Sequence, residues 1–181
     1  MVVDVQAGVM ADAWEAPRIV GNVARAVERA RAQQVPVLWV QHTHDEELPR
    51  GSPQWQWVPE LAPAPGETLV HKRFNSSFEH TEVDDVLARL NATHIVLAGA
   101  ATNWCIRATA YAALDRGYDL TLVNDAHTTG SMDLPGGQRI EAARVVDELN
   151  VAMRWLSYPG RSNGTAKAEE VNFAAPPGGA R

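Results

Sequence analysis

Three residues of unlike chemistry end three short apolar runs: a carboxylate at Asp4, an amine at Lys72 and the chain's single thiol at Cys105. A thiol becomes a strong nucleophile once a neighbour accepts its proton or a cation stabilises its anion. A buried carboxylate can accept that proton and later return it to a leaving amine. A lysine beside both favours the charged form of each. Cys105 follows His94 to Gly99, which reads as a buried strand, and opens a helix closing at Gly117 with Ile106, Ala110, Ala113 and Leu114 on one face. It therefore falls near a helix N-terminus, where unpaired N–H groups favour a thiolate and can hold an oxyanion. This placement predicts a nucleophile with a thiol pKa below that of a free cysteine.

The elements needed to position these groups alternate between strand and helix. Val2 to Val5 reads as the first strand. Arg18 to Gln34 reads as a helix with Ile19, Val20, Val23, Val27 and Ala30 inward, and Pro36 to Gln41 as the second strand. A connection rich in Pro, Gly and Trp runs from His42 to Glu67, longer than mere linkage requires. Thr68 to His71 is the third predicted strand and Thr81 to Leu90 a helix, opened by a capping-box pattern at Thr81 and Asp84. After the cysteine unit come a strand over Asp119 to Val123, a loop over Asn124 to His127, a helix from Ile140 to Leu156 and a short last strand over Gly164 to Lys167. Such alternation predicts a parallel sheet in one domain, residues 1–173, followed by a disordered tail over 174–181. Carboxyl ends of parallel strands share one rim, so Asp4, Lys72 and Cys105 converge where the strand order reverses.

Composition narrows the partners. Net charge is −6, and the sixteen basic residues form no cluster, which argues against nucleic acid. No apolar run is long enough to span a bilayer, and the first residues lack a signal-peptide pattern. One cysteine cannot pair within the chain, so a cytoplasmic location is expected. Gln6-Ala7-Gly8-Val9-Met10 after the first strand is not a Gly-x-Gly-x-x-Gly turn, and no P-loop occurs, which argues against a nucleotide-binding module.

Val2-Val3-Asp4-Val5-Gln6, His71-Lys72-Arg73-Phe74-Asn75-Ser76-Ser77-Phe78 and Gly99-Ala100-Ala101-Thr102-Asn103-Trp104-Cys105, in this order, resemble the isochorismatase-like cysteine hydrolase superfamily. That group includes nicotinamidases, carbamoylsarcosine and ureidoacrylate amidohydrolases, and streptothricin-hydrolase-like enzymes. Gly51-Ser52-x-x-Trp55, Pro59-Glu60-Leu61 and Gly117-Tyr118 extend the likeness over residues 2–173. It implies a three-layer α/β/α fold with a six-stranded parallel sheet of order 3-2-1-4-5-6. It also implies a triad of Asp4, Lys72 and Cys105, and a non-proline cis peptide at Ala100–Ala101 that turns the N–H of Ala101 beside that of Cys105 as an oxyanion hole.

The expected reaction is cleavage of a C–N bond in a small amide, lactam or ureide through a thioester. Gln6, Trp55 and Phe78 are the expected substrate contacts. Nicotinamidases bind a metal through Asp-x-His plus another histidine. Here His42-Thr43-His44 supplies two nitrogens, about half a zinc site, so no metal or other cofactor is expected. Isochorismate-cleaving members lack the thiol, so Cys105 argues against vinyl-ether hydrolysis, which stands as the alternative activity, with a non-catalytic small-molecule-binding protein the second alternative. A small-molecule substrate, no nucleic-acid or membrane partner, and a homodimer or homotetramer complete the expectations.

Overall fold

The structure, a computed structural model, describes residues 1–174; the tail expected over 174–181 lies, beyond Ala174, outside the described residues. In chain order come β1 (Val2–Val3), α1 (Ala7–Met10), α2 (Ala16–Ala32), β2 (Leu38–His42), β3 (Thr68–Lys72) and α3 (Val83–Arg89). They are followed by β4 (His94–Ala100), a π-helical turn (Thr102–Ile106), α4 (Arg107–Asp115), β5 (Asp119–Thr128), β6 (Met132–Asp133), β7 (Arg139–Ile140), α5 (Ala142–Trp155) and β8 (Asn163–Ala166). Six strands form one parallel sheet ordered β3-β2-β1-β4-β5-β8. This is the expected 3-2-1-4-5-6 order, with the small β6–β7 hairpin inserted before the last strand.

Side chains alternate across the sheet, and each face builds its own core. Val2, Trp39 and Ala98 pack with Ile19, Val23 and Val27 of α2. Val3, Val40 and Leu97 pack on the other face with Val86 of α3, Ile106, Leu114 of α4 and Leu149 of α5. Trp39 and Leu97 are fully buried, so the rim above them stands on a rigid base.

Three departures from the expected elements shape that rim. β1 ends at Val3, two residues early, because Asp4 takes a left-handed backbone with φ 52° that an extended strand cannot contain. β5 continues to Thr128 where a loop over Asn124 to His127 was expected. Its pairing with β4 jumps from Leu97–Leu122 to Gly99–His127, so the polar stretch is a bulge within the strand. Asn150 and Asn22 donate side-chain N–H groups to the carbonyls of Asn124 and Asp125 at 3.0 and 2.7 Å, which satisfies the bulged backbone. Cys105 lies at the expected strand-to-helix turn, but that turn is π-helical and α4 begins only at Arg107.

Gly99 makes the close approach of β1 and β4 possible. Its φ is 129°, and a Cβ there would stand 2.0 Å from the carbonyl oxygen of Val3. The strand ends carrying Asp4 and Cys105 are neighbours because nothing projects between them.

Candidate active site

Asp4, Lys72 and Cys105 meet in one buried cluster, with relative exposures of 1%, 1% and 8%. Each arrives from a different strand end: Asp4 just past β1, Lys72 as the last residue of β3, and Cys105 in the turn after β4. The Lys72 ammonium is the hub. It lies 2.6 Å from Asp4 Oδ2 and donates to Cys105 Sγ and the Phe74 carbonyl at 3.1 Å each. His42 Nδ1 stands 3.1 Å from the same nitrogen. A carboxylate oxygen of Asp4, a ring nitrogen of His42 and Cys105 Sγ all fall within 4.8 Å of one another. Asp4 Oδ1 has no hydrogen-bond partner among the described residues, so one carboxylate oxygen remains open.

Burial first, and then the Asp4 charge, push the Cys105 thiol up to about 12, although Lys72 pulls the other way. This corrects the expectation of a depressed thiol pKa. That expectation weighed the helix terminus and the lysine, but neither the loss of water nor the carboxylate. Burial also lowers the Lys72 amine's affinity for its proton, yet the Asp4 charge, helped by the contacts to Asp4 and Cys105, more than offsets it and holds Lys72 above its ordinary value. His42 is held below its ordinary value by burial and then by the Lys72 charge. It is therefore a neutral ring whose Nδ1 can accept from the ammonium. The resting arrangement is a neutral thiol beside an ammonium and an open carboxylate oxygen: a proton acceptor, a nucleophile and a fixed cation.

The turn bearing Cys105 is held from behind. Ala100–Ala101 is a cis peptide, as the resemblance implies. The Ala101 carbonyl accepts from the N–H groups of Trp104 and Ile106 at 3.1 Å. Thr102 Oγ1 lies 2.9 Å from Nδ1 of the fully buried His127, whose Nε2 lies 3.0 Å from Asn150 Oδ1. This chain ties the turn to α5 and the β5 bulge.

The three expected substrate contacts occupy different settings. Gln6 is fully buried, and its amide is taken up by backbone: Nε2 donates to the carbonyls of His42 and Trp55, and Oε1 accepts from the N–H of His42. In this position it pins the long connection to the end of β2. Phe78 is 4% exposed, stacks on Tyr118 and carries the Arg116 guanidinium 4.5 Å from its ring centroid, within the core of the α3–α5 face. Trp55 is half-buried near the rim, donates from Nε1 to Thr43 Oγ1 at 3.0 Å and lies beside His71 with centroids 5.5 Å apart. A cleft of about 420 Å³ reaches Lys72 between Thr43, Arg50, His71, Arg73 and Phe74. A second cavity, apolar and about 260 Å³, lies at the opposite end of the sheet beneath Met1 and touches none of the triad.

His42 and Arg50 are the residues the sequence reading did not place in this site. His42 was weighed only as a metal ligand; its register opposite Lys72 on β3 is the signal that assigns it. The metal arrangement implied by nicotinamidases does not fit here. His42 Nδ1 faces Lys72, whereas Nδ1 of the exposed His44 accepts from the N–H groups of Glu46 and Glu47 at 3.3 and 3.2 Å. Among the described residues the one group able to gather three metal-ligating atoms is Asp4, His42 and Cys105, and an ammonium already stands within 3.1 Å of each.

Comparison with known proteins shows the family. The isochorismatase domain model matches residues 1–151. The chain is 32% identical to a streptothricin hydrolase of Streptomyces noursei, over 98% of this chain and 71% of that protein. It is 31% identical to the secreted isochorismatase effector Isc1 of Verticillium dahliae, over 69% of this chain and 65% of that protein. Against the ureidoacrylate amidohydrolase RutB of Methylobacterium radiotolerans it is 30% identical, over 64% and 57% respectively. The chain thus spans less than two thirds of two of these relatives. The crystal structure of an isochorismatase from Pseudomonas putida KT2440 superposes with a TM-score of 0.82 over 92% of this chain and 86% of that one, at 24% identity, a likeness of fold. Among the described residues no helix is long and apolar enough to cross a membrane.

Proposed function

This chain belongs to the isochorismatase family of hydrolases, and within it we propose a cysteine amidohydrolase that cleaves a C–N bond of a small amide, lactam or ureide without a metal. The observation that carries this reading is the ammonium of Lys72 held within 3.1 Å of both Asp4 and Cys105 in a water-poor pocket. Asp4 Oδ1 takes the thiol proton as sulfur attacks the carbonyl carbon. The developing oxyanion is held by the N–H groups of Ala101 and Cys105, donors of the kind that stabilise tetrahedral intermediates. As the C–N bond breaks, Asp4 gives its proton to the departing nitrogen, leaving a thioester. Water then attacks the thioester with Asp4 as base, and the acid leaves as sulfur recovers its proton. Throughout, Lys72 balances the charge that alternates between sulfur and carboxylate. The names of the streptothricin hydrolase and the ureidoacrylate amidohydrolase support hydrolysis at such a bond. The unpaired thiol supports a reducing, cytoplasmic setting.

Ammonia release from a panel of amides, lactams and ureides, with and without chelator, tests the proposal. Turnover that survives exhaustive chelation and disappears in Cys105→Ala is expected, as is an acyl adduct on Cys105 in intact-protein mass spectra after rapid acid quench. Vinyl-ether cleavage retained by Cys105→Ala, with no amide turned over, would replace it with the alternative activity.

A further inference from the structure

The cleft that reaches Lys72, whose ammonium touches the Cys105 sulfur, is basic in a protein whose net charge is −6, and its cations are unequally matched. Lys72 is paired with Asp4 at 2.6 Å, and Arg73 with Asp45 at 2.5 Å. Arg50, which also lines the cleft, forms no ion pair with any carboxylate among the described residues. Its guanidinium is nevertheless held, by neutral groups alone. Nη2 lies 3.3 Å from His71 Nε2, and the group sits 6.0 Å from the Trp55 ring centroid. Trp55 in turn is fixed through Thr43, and its carbonyl through Gln6 and Gln41. A guanidinium held in place with its charge uncompensated is prepared for an incoming anion, and its planar fork fits a carboxylate through two parallel N–H···O bonds.

We infer that the substrate carries a carboxylate besides its scissile C–N bond, and that Arg50 binds it in the cleft shared with Lys72. The inference rests on the amidohydrolase reading for the reacting bond, but not for the anion preference itself. The other groups bordering the cleft are consistent with it. His71 is neutral under burial and the Arg50 charge, and the one carboxylate there, Asp45, is occupied by Arg73. Arg50 thus acts as a specificity-determining residue.

Two alkylating agents of nearly equal size separate the charge effect from chemistry on amides. With iodoacetate and iodoacetamide alike, Cys105 sulfur attacks the CH2 carbon, forming a C–S bond as the C–I bond breaks to release iodide and the thiol proton leaves to Asp4 or solvent; only iodoacetate is anionic. The rate ratio of iodoacetate to iodoacetamide, followed by intact mass, is expected to exceed one in the native chain and to saturate with iodoacetate concentration. In Arg50→Ala it is expected to fall at least tenfold, with Arg50→Lys in between. Added salt should lower the native ratio, because the group is exposed. Hydrolysis supplies the second readout, with succinamate and succinamide as a matched anionic and neutral pair. A kcat/KM ratio favouring succinamate, lost in Arg50→Ala, is expected. An alkylation ratio unchanged by Arg50→Ala overturns the inference even if amides are hydrolysed. A ratio that responds as expected while no amide is hydrolysed leaves the anion site standing and refutes the amidohydrolase reading instead.

Discussion

Removing the Lys72 ammonium tests the centre of the site, because the charge it balances has nowhere else to go. In Lys72→Met the chain keeps most of the side-chain volume, but Asp4 is left as a buried carboxylate without a cation. Both side chains are essentially inaccessible, at 0% and 1%, and their charged atoms lie 2.6 Å apart, so no allowance for solvent screening is needed. Breaking a buried pair by deleting one partner costs about 3–5 kcal/mol. The Phe74 carbonyl and His42 Nδ1 also lose a donor, which keeps the cost from falling to the bottom of that range. With a urea dependence of roughly 2 kcal/mol/M for a domain of this size, the unfolding midpoint should drop by about 2–2.5 M. Asp4→Asn should cost a comparable amount by stranding the cation. The double variant removes both charges, so its loss should fall short of the sum by about 2 kcal/mol or more. All three variants should lose turnover by at least 10²-fold, the lower end for general acid–base groups. A midpoint within about 0.5 M of the native chain in Lys72→Met, or strictly additive losses in the double variant, would show that these charges do not depend on each other and would refute the reasoning.

Three further outcomes follow from the same coordinates. Because the thiol is pushed up to about 12, Cys105 should react with iodoacetamide more slowly than a free thiol at pH 7.5, and its rate should still be climbing at pH 10; a plateau below pH 9 contradicts the buried, carboxylate-facing thiol. His127 is fully buried, and burial lowers its pKa from 6.5 to about 4. The unfolded chain therefore binds the extra proton first, and stability present above pH 6.5 should be lost as pH falls towards 4, by up to about 3 kcal/mol for this residue. Urea midpoints at pH 7.5 and 4.5 should show that slope in the native chain and a shallower one in His127→Asn. Gly99→Ala should yield no soluble protein, since its Cβ would overlap the Val3 carbonyl, whereas Gly21→Ala, with nothing within 4 Å of the added carbon, should stabilise α2 by about 0.5–1 kcal/mol in thermal melts.

The meeting of Asp4, Lys72 and Cys105 was legible because strand ends are legible. Apolar runs bounded by polar residues placed Asp4, Lys72 and Cys105 on one rim, and the sheet order brought them into contact. What escaped the sequence depends on contacts between distant segments. Nothing local to Asp4 announces a φ of 52°; that conformation belongs to a residue whose N–H still reaches the Val40 carbonyl while its side chain turns to Lys72. Asn124 and Asp125 have the composition of a loop, and they form a strand bulge only because Asn22 and Asn150, far away in the chain, satisfy their carbonyls. Arg50 looks like any surface arginine until Gln6, Thr43 and His71 fix the long connection around it.

The position of His42 follows from the same logic and bears on the metal-free reaction proposed above. A cation at the meeting point of Asp4, His42 and Cys105 would lower the energy of a thiolate and of an oxyanion, which is what a catalytic metal does. Lys72 already puts a positive charge there, covalently tethered to β3 and held by four neighbours. An ammonium has three N–H donors and accepts none, so two of these four neighbours share one N–H. The Phe74 carbonyl and the neutral His42 ring aim it, while Asp4 and Cys105 are the two groups whose charges change during the proposed reaction. Protonating His42 would replace that acceptor with a second cation facing Lys72. The depressed basicity of the ring therefore keeps the ammonium directed at sulfur and carboxylate. His42→Phe, which preserves a ring but not the acceptor, should lower kcat for the anionic and neutral amides alike. Such a uniform loss separates His42, which positions the cation, from Arg50, which chooses the substrate.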